Sequence, residues 1–154
     1  CMGLGQLQPS DIATLYEQRQ RVTTDQYTVA ALAWDAFRSG SESRLRSVLQ
    51  RATNALPFLA AALRRHLDEQ PGIAGALSRS ERRLIEQLQR GPVDIRRAFA
   101  AMHEGETPYY ITDSSFWAMI ERLSQRSPAL IEVAITGPGG TRPTLPEGTL
   151  SLRQ

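Results

Sequence analysis

The clearest pattern of apolar and polar positions lies at residues 77–91, followed at once by Pro92. Ser78 and Glu81 form a Ser-x-x-Glu capping box, in which hydroxyl and carboxylate each satisfy an open backbone N–H at a helix start. Leu84, Ile85 and Leu88 supply the inward face. Gly91-Pro92 closes the helix, since glycine accepts the left-handed backbone of a helix end and proline cannot continue it. A second helix is expected over residues 93–103, with Ile95, Ala98, Phe99 and Met102 spaced i, i+3, i+4, i+7. Residues 104–108 read as loop and Tyr109-Tyr-Ile111 as a short extended segment. Asp113 then caps a third helix carrying Phe116, Trp117, Ile120 and Leu123, with Met119 at the margin of its buried face. Residues 130–135 alternate and are β-branched, and residues 149–152 alternate again, which predicts two strands of a hairpin around a Gly- and Pro-rich loop at 136–148. Three helices and a hairpin in this order make the layout of a winged helix-turn-helix.

Upstream, four helices are predicted. Ser10 is the expected cap of the first, whose face carries Ile12, Leu15, Tyr16 and Arg19. Thr24 is the expected cap of the second, where Tyr27, Ala30, Ala31, Trp34 and Phe37 recur at helical spacing before a stop at Gly40. Ser41 starts a third helix with Leu45, Val48, Leu49 and Ala52 inward. The fourth spans 56–67, with Pro57 in its first turn and a stripe of Leu56, Leu59, Ala60, Leu63 and Leu67, widened by Phe58 and Ala62; it is the expected centre of the N-terminal layer. The predicted organisation is thus a disordered or cloning-derived start at 1–9, a helical subdomain at 10–70, a linker at 71–76 and a winged-helix-like subdomain at 77–154. The fold class is mainly α, a four-helix layer packed on a winged helix-turn-helix-like unit with one β-hairpin.

Composition narrows this picture little. The chain of 154 residues is 41% hydrophobic and 22% charged, the balance of an ordinary globular domain rather than a disordered one. Its net charge is +2, spread evenly: residues 1–77 hold 8 Arg and 7 acids, residues 78–154 hold 10 Arg and 9 acids. No field for a polyanion is announced by net charge. All basic residues are arginine, a habit of GC-rich coding, which makes each arginine a weaker pointer to phosphate binding. A single cysteine, Cys1, excludes an internal disulfide and a multi-cysteine zinc site. At the first position it fits a piece of a longer protein, or a cloning scar, better than an acylated terminus or an N-terminal nucleophile, because neither a polar tether nor an oxyanion site is visible after it. No apolar run approaches a membrane span, and no signal peptide opens the chain, so a cytoplasmic location is expected.

Three segments carry a resemblance to a known family: Ala55-Leu-Pro-Phe-Leu-Ala-Ala-Ala-Leu-Arg-Arg-His-Leu67, Gly75-Ala-Leu-Ser-Arg-Ser-Glu-Arg-Arg-Leu-Ile85 and Asp113-Ser-Ser-Phe-Trp117. With Trp34 and Phe37, they resemble the C-terminal region of an uncharacterised bacterial family of unknown function, over most of 10–135. The resemblance implies an N-terminal α/β domain ahead of this region in full-length members. It implies no activity and no catalytic residues.

Candidate chemistry is sparse. Sequence-specific DNA binding would place the helix at 114–124 in the major groove and the 136–148 loop as a wing, with Ser114, Ser115 and Arg122 on the helix, Arg142 in the wing, and Arg96 and Arg97 adding backbone contacts. Asp113 and Glu121 oppose a polyanion on that same helix. Tyr109, Tyr110 and Trp117 are candidate anchors for a protein partner; the alternative is that they pack, Phe116 on its own helical trio and Trp117 on the N-terminal layer. His66 and His103 stand in separate segments with no ligand-like spacing, so no metal or cofactor is expected, and His66 reads as part of a solvated helix end. No Gly-x-Ser-x-Gly occurs, and Gly137-Pro-Gly-Gly140 lacks the Gly-Lys-Ser/Thr ending of a phosphate loop, so no catalytic residue is named. Arg82 and Glu86, four apart, are expected to pair in solvent. The function expected is a non-enzymatic regulatory or scaffolding role through protein contacts or self-association. A DNA- or RNA-binding regulator is the alternative, and an accessory part of an enzyme whose active site lies in a preceding domain is the third reading.

Overall fold

The structure is a computed structural model that describes residues 7–51, 53–70, 76–106, 109–137 and 145–153. It is a mainly helical chain with one small antiparallel sheet, and it divides into two compact units, Cys1–Leu63 and Arg64–Gln154. No described helix is long and apolar enough to cross a membrane. The expected linker at 71–76 falls almost wholly outside the described residues.

In the first unit, α1 (Pro9–Glu17) is capped by Gln8 rather than Ser10: the Gln8 and Asp11 side chains cap reciprocally, and Pro9 takes the first helical position, where its fixed φ suits the helix. Ser10 is therefore already inside the helix. α2 (Thr24–Arg38) is capped by Thr23, one residue earlier than expected, because Gln26 completes a reciprocal box with it. The helix ends at Gly40, which takes φ 64°. Ser41 caps α3 (Glu42–Leu49) as the sequence suggests. α2 packs against α3, and the buried positions are Ala33 and Ala36 on α2 with Leu45 and Val48 on α3. Ala52 lies outside the described residues. α4 (Leu59–Glu69) starts three residues later than expected; Leu56, Pro57 and Phe58 form turns, and Phe58 is 85% exposed instead of widening the stripe. From Arg64 onward, α4 belongs to the second unit.

The second unit runs α5 (Arg79–Leu88), β1 (Val93–Asp94), α6 (Ile95–Ala101), α7 (Asp113–Ser124), β2 (Ile131–Ile135) and β3 (Gly148–Leu152). The expected capping box forms: Ser78 Oγ accepts from the Glu81 N–H at 3.1 Å, and Glu81 Oε2 accepts from the Ser78 N–H at 2.8 Å. Gly91 ends the helix region at φ 126°. The helix expected over 93–103 is shorter, because Val93 and Asp94 are taken by a strand and the Asp94 carboxylate caps α6. Thr112, not Asp113, caps α7, accepting from the Ser115 N–H.

The sheet has three strands in the order β1-β3-β2, all antiparallel, where a hairpin of two was expected. Val93 pairs with Leu150, and β2 pairs with β3 from Ile131↔Leu152 to Ile135↔Gly148. At that last pair the strands come so close that a Cβ on Gly148 would collide with the Ala134 carbonyl, so glycine is required there by space. Helices and sheet close on one core of Leu84, Leu88, Ile95, Ala98, Met102, Ile111, Phe116, Met119, Ile120, Leu123, Ile131, Leu145 and Leu150. Met119, expected at the margin, is 3% exposed and part of this core.

Candidate functional site

The six residues proposed for nucleic acid contact are largely committed elsewhere. Ser114 and Ser115 sit in the capping turn of α7, where Thr112 Oγ1 meets Ser115 Oγ at 2.9 Å and Ser114 Oγ at 3.1 Å, and Asp113 accepts from the Ser114 N–H at 2.8 Å. Two serines beside a carboxylate make a poor seat for phosphate. Arg122 is exposed but ion-pairs with Glu81 on α5, Nε to Oε1 at 3.0 Å and Nη2 at 2.9 Å. Arg96 faces Glu147 at 3.5 Å, just before β3. Arg97 is exposed and has no ion pair among the described residues. Arg142 and most of the expected wing lie outside the described residues.

Of the three aromatic anchors expected for a partner, two are mostly packed. Trp117 lies against the core of its own unit, not presented as a knob, and its indole N–H donates to Glu121 at 2.8 Å. Tyr109 packs on the same core under the Arg65 guanidinium, 4.1 Å from ring centroid to Cζ. Tyr110 is 63% exposed and stacks on His103 with centroids 4.6 Å apart.

Two arrangements were not anticipated from the sequence. The first is a buried ionic cluster inside the second unit. Arg65, next to His66 in the helix end expected to be solvated, is 3% exposed. Its Nε donates to both Glu106 oxygens at 3.1 and 3.2 Å, Nη1 pairs with Glu69 and Nη2 donates to Ser80 Oγ at 3.2 Å. Arg79 (3.0 Å) and Arg83 (3.4 Å) also reach Glu106. Arg82, expected to pair with Glu86, donates to the Leu77 carbonyl instead. Burial works against the charged form of Glu69, but hydrogen bonds from Arg65 and Ser80 and the Arg65 charge outweigh it and hold the carboxyl below its usual range. Burial also opposes the Arg65 charge, and Glu69 and Glu106 reverse this and raise its pKa. The Tyr109 hydroxyl is pushed up by burial first and by the Glu69 charge second. Every polar group of the cluster is partnered, which is the pattern of a clamp joining α4, α5 and the segment after α6 rather than of a reactive centre. Sequence carries one local signal, the i,i+4 spacing of Arg65 and Glu69; Glu106, 41 positions from Arg65, gives none.

The second arrangement is the outer face of α2. Because Ala33 and Ala36 take the inward side, the aromatic residues of the same helix turn outward: Tyr27 is 66% exposed, Trp34 58% and Phe37 46%. Trp34 and Phe37 stack with centroids 5.8 Å apart at 21°. Ala30 and Ala31, between Tyr27 and Trp34 in sequence, are exposed as well. On α1, no residue is buried, and Ile12, Leu15 and Tyr16 are 43%, 46% and 61% exposed. Exposed aromatic side chains gathered on one helix make this face a candidate contact surface.

Fold and surface together define the class: a mainly helical protein with a small three-stranded antiparallel sheet and an outward-facing aromatic helix. Comparison with protein-family models, with curated proteins and with solved structures finds no match, so the family resemblance rests on its three segments alone.

Proposed function

We propose that this chain is a non-enzymatic interaction module that works through protein contacts made by its N-terminal unit. The observation that carries the reading is the α2 face, where Tyr27, Trp34 and Phe37 are exposed on a helix whose inward side is already occupied. Exposed aromatics with few rotatable bonds are the usual anchors of protein interfaces. Trp34→Ser tests it on dilute protein. An interface residue is dispensable to the folded single chain, so the unfolding free energy stays within about 0.5 kcal/mol of the parent. A loss of roughly 3 kcal/mol or more would show that the face is internal core, and the reading would fail.

The winged helix-turn-helix-like reading of the second unit is supported by its order of three helices, α5, α6 and α7, followed by the paired strands β2 and β3. DNA or RNA binding by that unit is the second function we propose, favoured by exposed Arg97 and opposed by the acidic partners of Arg96 and Arg122. Few phosphates would be neutralised, so binding to a mixed duplex should show a shallow salt slope and weaken in Arg97→Ala. Absence of binding at low salt removes this reading.

A further inference from the structure

We infer that the groove between the end of α5 and α6 binds a short peptide carrying an acidic and a basic side chain about 10 Å apart. The site lies wholly in the second unit and does not depend on the α2 face.

The groove measures about 450 Å³, a size usual for ligand sites. Arg83 fixes the helices on either side of it. Its guanidinium donates to the Ala101 carbonyl at 2.9 Å and to the Glu104 carbonyl, which ties the far end of α6 to the middle of α5. At the near end the helices are joined by residues 91–94, and Arg90 before this link and Arg97 after it both line the groove.

Charge sets these two arginines apart. Arg65, Arg79, Arg83, Arg96, Arg122 and Arg153 of the same unit are all ion-paired. Arg90 and Arg97 are exposed, with no ion pair among the described residues. Asp94, three positions before Arg97, is committed to the Arg97 N–H as the cap of α6. Two guanidinium groups open to one groove suit a carboxylate, whose oxygens accept bidentate bonds from such a fork.

The far end has the opposite sign. Glu104 stands in the turn that follows α6, seven positions beyond Arg97 and so about 10 Å along the helix direction. It is exposed and has no ion pair among the described residues. Ala100 and Ala101 lie between the two ends, and Val93 adds apolar lining at the link.

That order of charges selects the ligand. A nucleic acid strand is negative at every nucleotide and meets Glu104 as a like charge. A free amino acid holds its two charges only about 3 Å apart and cannot reach both ends. In a peptide of polyproline II form, side chains three positions apart stand on one side, about 9 Å from each other, which matches the groove. The ligand is therefore a segment with Asp or Glu at one position and Lys or Arg three positions away.

Fluorescence anisotropy of two labelled, end-blocked peptides, Ala-Asp-Ala-Ala-Lys-Ala and its reverse order, titrated with the full chain at low salt, tests this. At least one should bind, and Arg90→Ala and Arg97→Ala should each weaken it about tenfold, the loss of a charge-assisted hydrogen bond. Glu104→Gln should remove the preference for lysine over alanine at the basic position of the peptide, which a merely structural role would leave in place. All three side chains are exposed, so the variants should melt with the parent. Failure of both peptides to bind would overturn the proposal. So would binding indifferent to Arg90 and Arg97, or a lysine preference that survives Glu104→Gln. Mixed duplex should not displace the peptide; displacement would overturn the proposal in favour of the nucleic acid reading of Arg97.

Discussion

Arg65 and Glu69 show how a single side chain can reverse the reading of its neighbourhood. In sequence, the run from Arg64 to Gln70 is polar apart from Leu67, and of its polar residues only Arg64 and Asp68 are exposed as such a run suggests, while Arg65 turns inward and carries Glu69 with it. Periodicity places the two on one face; it does not reveal that Glu106, Ser80 and Tyr109 wait there, because contacts across 41 positions leave no local trace. The titration of Glu69 gives a checkable consequence. Its folded pKa is depressed, so the unfolded state binds protons first as pH falls. The contribution of this carboxylate is present above the ordinary glutamate range and is lost as pH drops through the folded value. Stability followed by denaturant titration between neutral pH and the acid range should therefore decline, and Glu69→Gln should flatten that decline while lowering stability at neutral pH. An unchanged acid limb in Glu69→Gln would mean that the carboxylate does not act through this linkage.

Elements were legible where the chain writes both ends of a pattern. The Ser78–Glu81 box, the stripe on α5 and the Gly91 stop appear as read, because each signal is local. Helix starts were displaced by one where two adjacent residues can both cap: Thr23 wins over Thr24 because Gln26 sits at the reciprocal position, and Thr112 wins over Asp113 because its hydroxyl reaches the Ser115 N–H. β1 was invisible. Two residues carry no alternation, and Val93-Asp94 becomes a strand only because β3 offers it an edge in Leu150 and Thr149. The outward turn of the α2 aromatics was equally hidden, since a helix with small residues on one side and aromatic residues on the other has two apolar faces, and spacing alone cannot choose which packs on α3. Core and cap should respond differently to mutation. Leu84, with no exposed surface, becomes an unpaired buried carboxylate in Leu84→Asp, which should abolish cooperative unfolding of the second unit. Ser78→Ala should keep a cooperative transition and cost about 1–2 kcal/mol, read by circular dichroism in denaturant.

At the scale of the whole chain, charge is too evenly distributed to steer a partner, and shape of surface has to do that selecting. The position of Arg65 also decides where this chain can be divided. A cut in the stretch between α4 and α5, the obvious place by composition, would remove the cation that neutralises Glu106 from one side and the carboxylate that holds Ser80. Arg79 and Arg83 would remain, so the loss should be about 3 kcal/mol at most. A fragment spanning 59–154 should accordingly melt sharply, and one spanning 77–154 several degrees lower. The last turns of α4 are part of what makes the C-terminal unit an independent piece, and any transplantation of that unit has to carry them along.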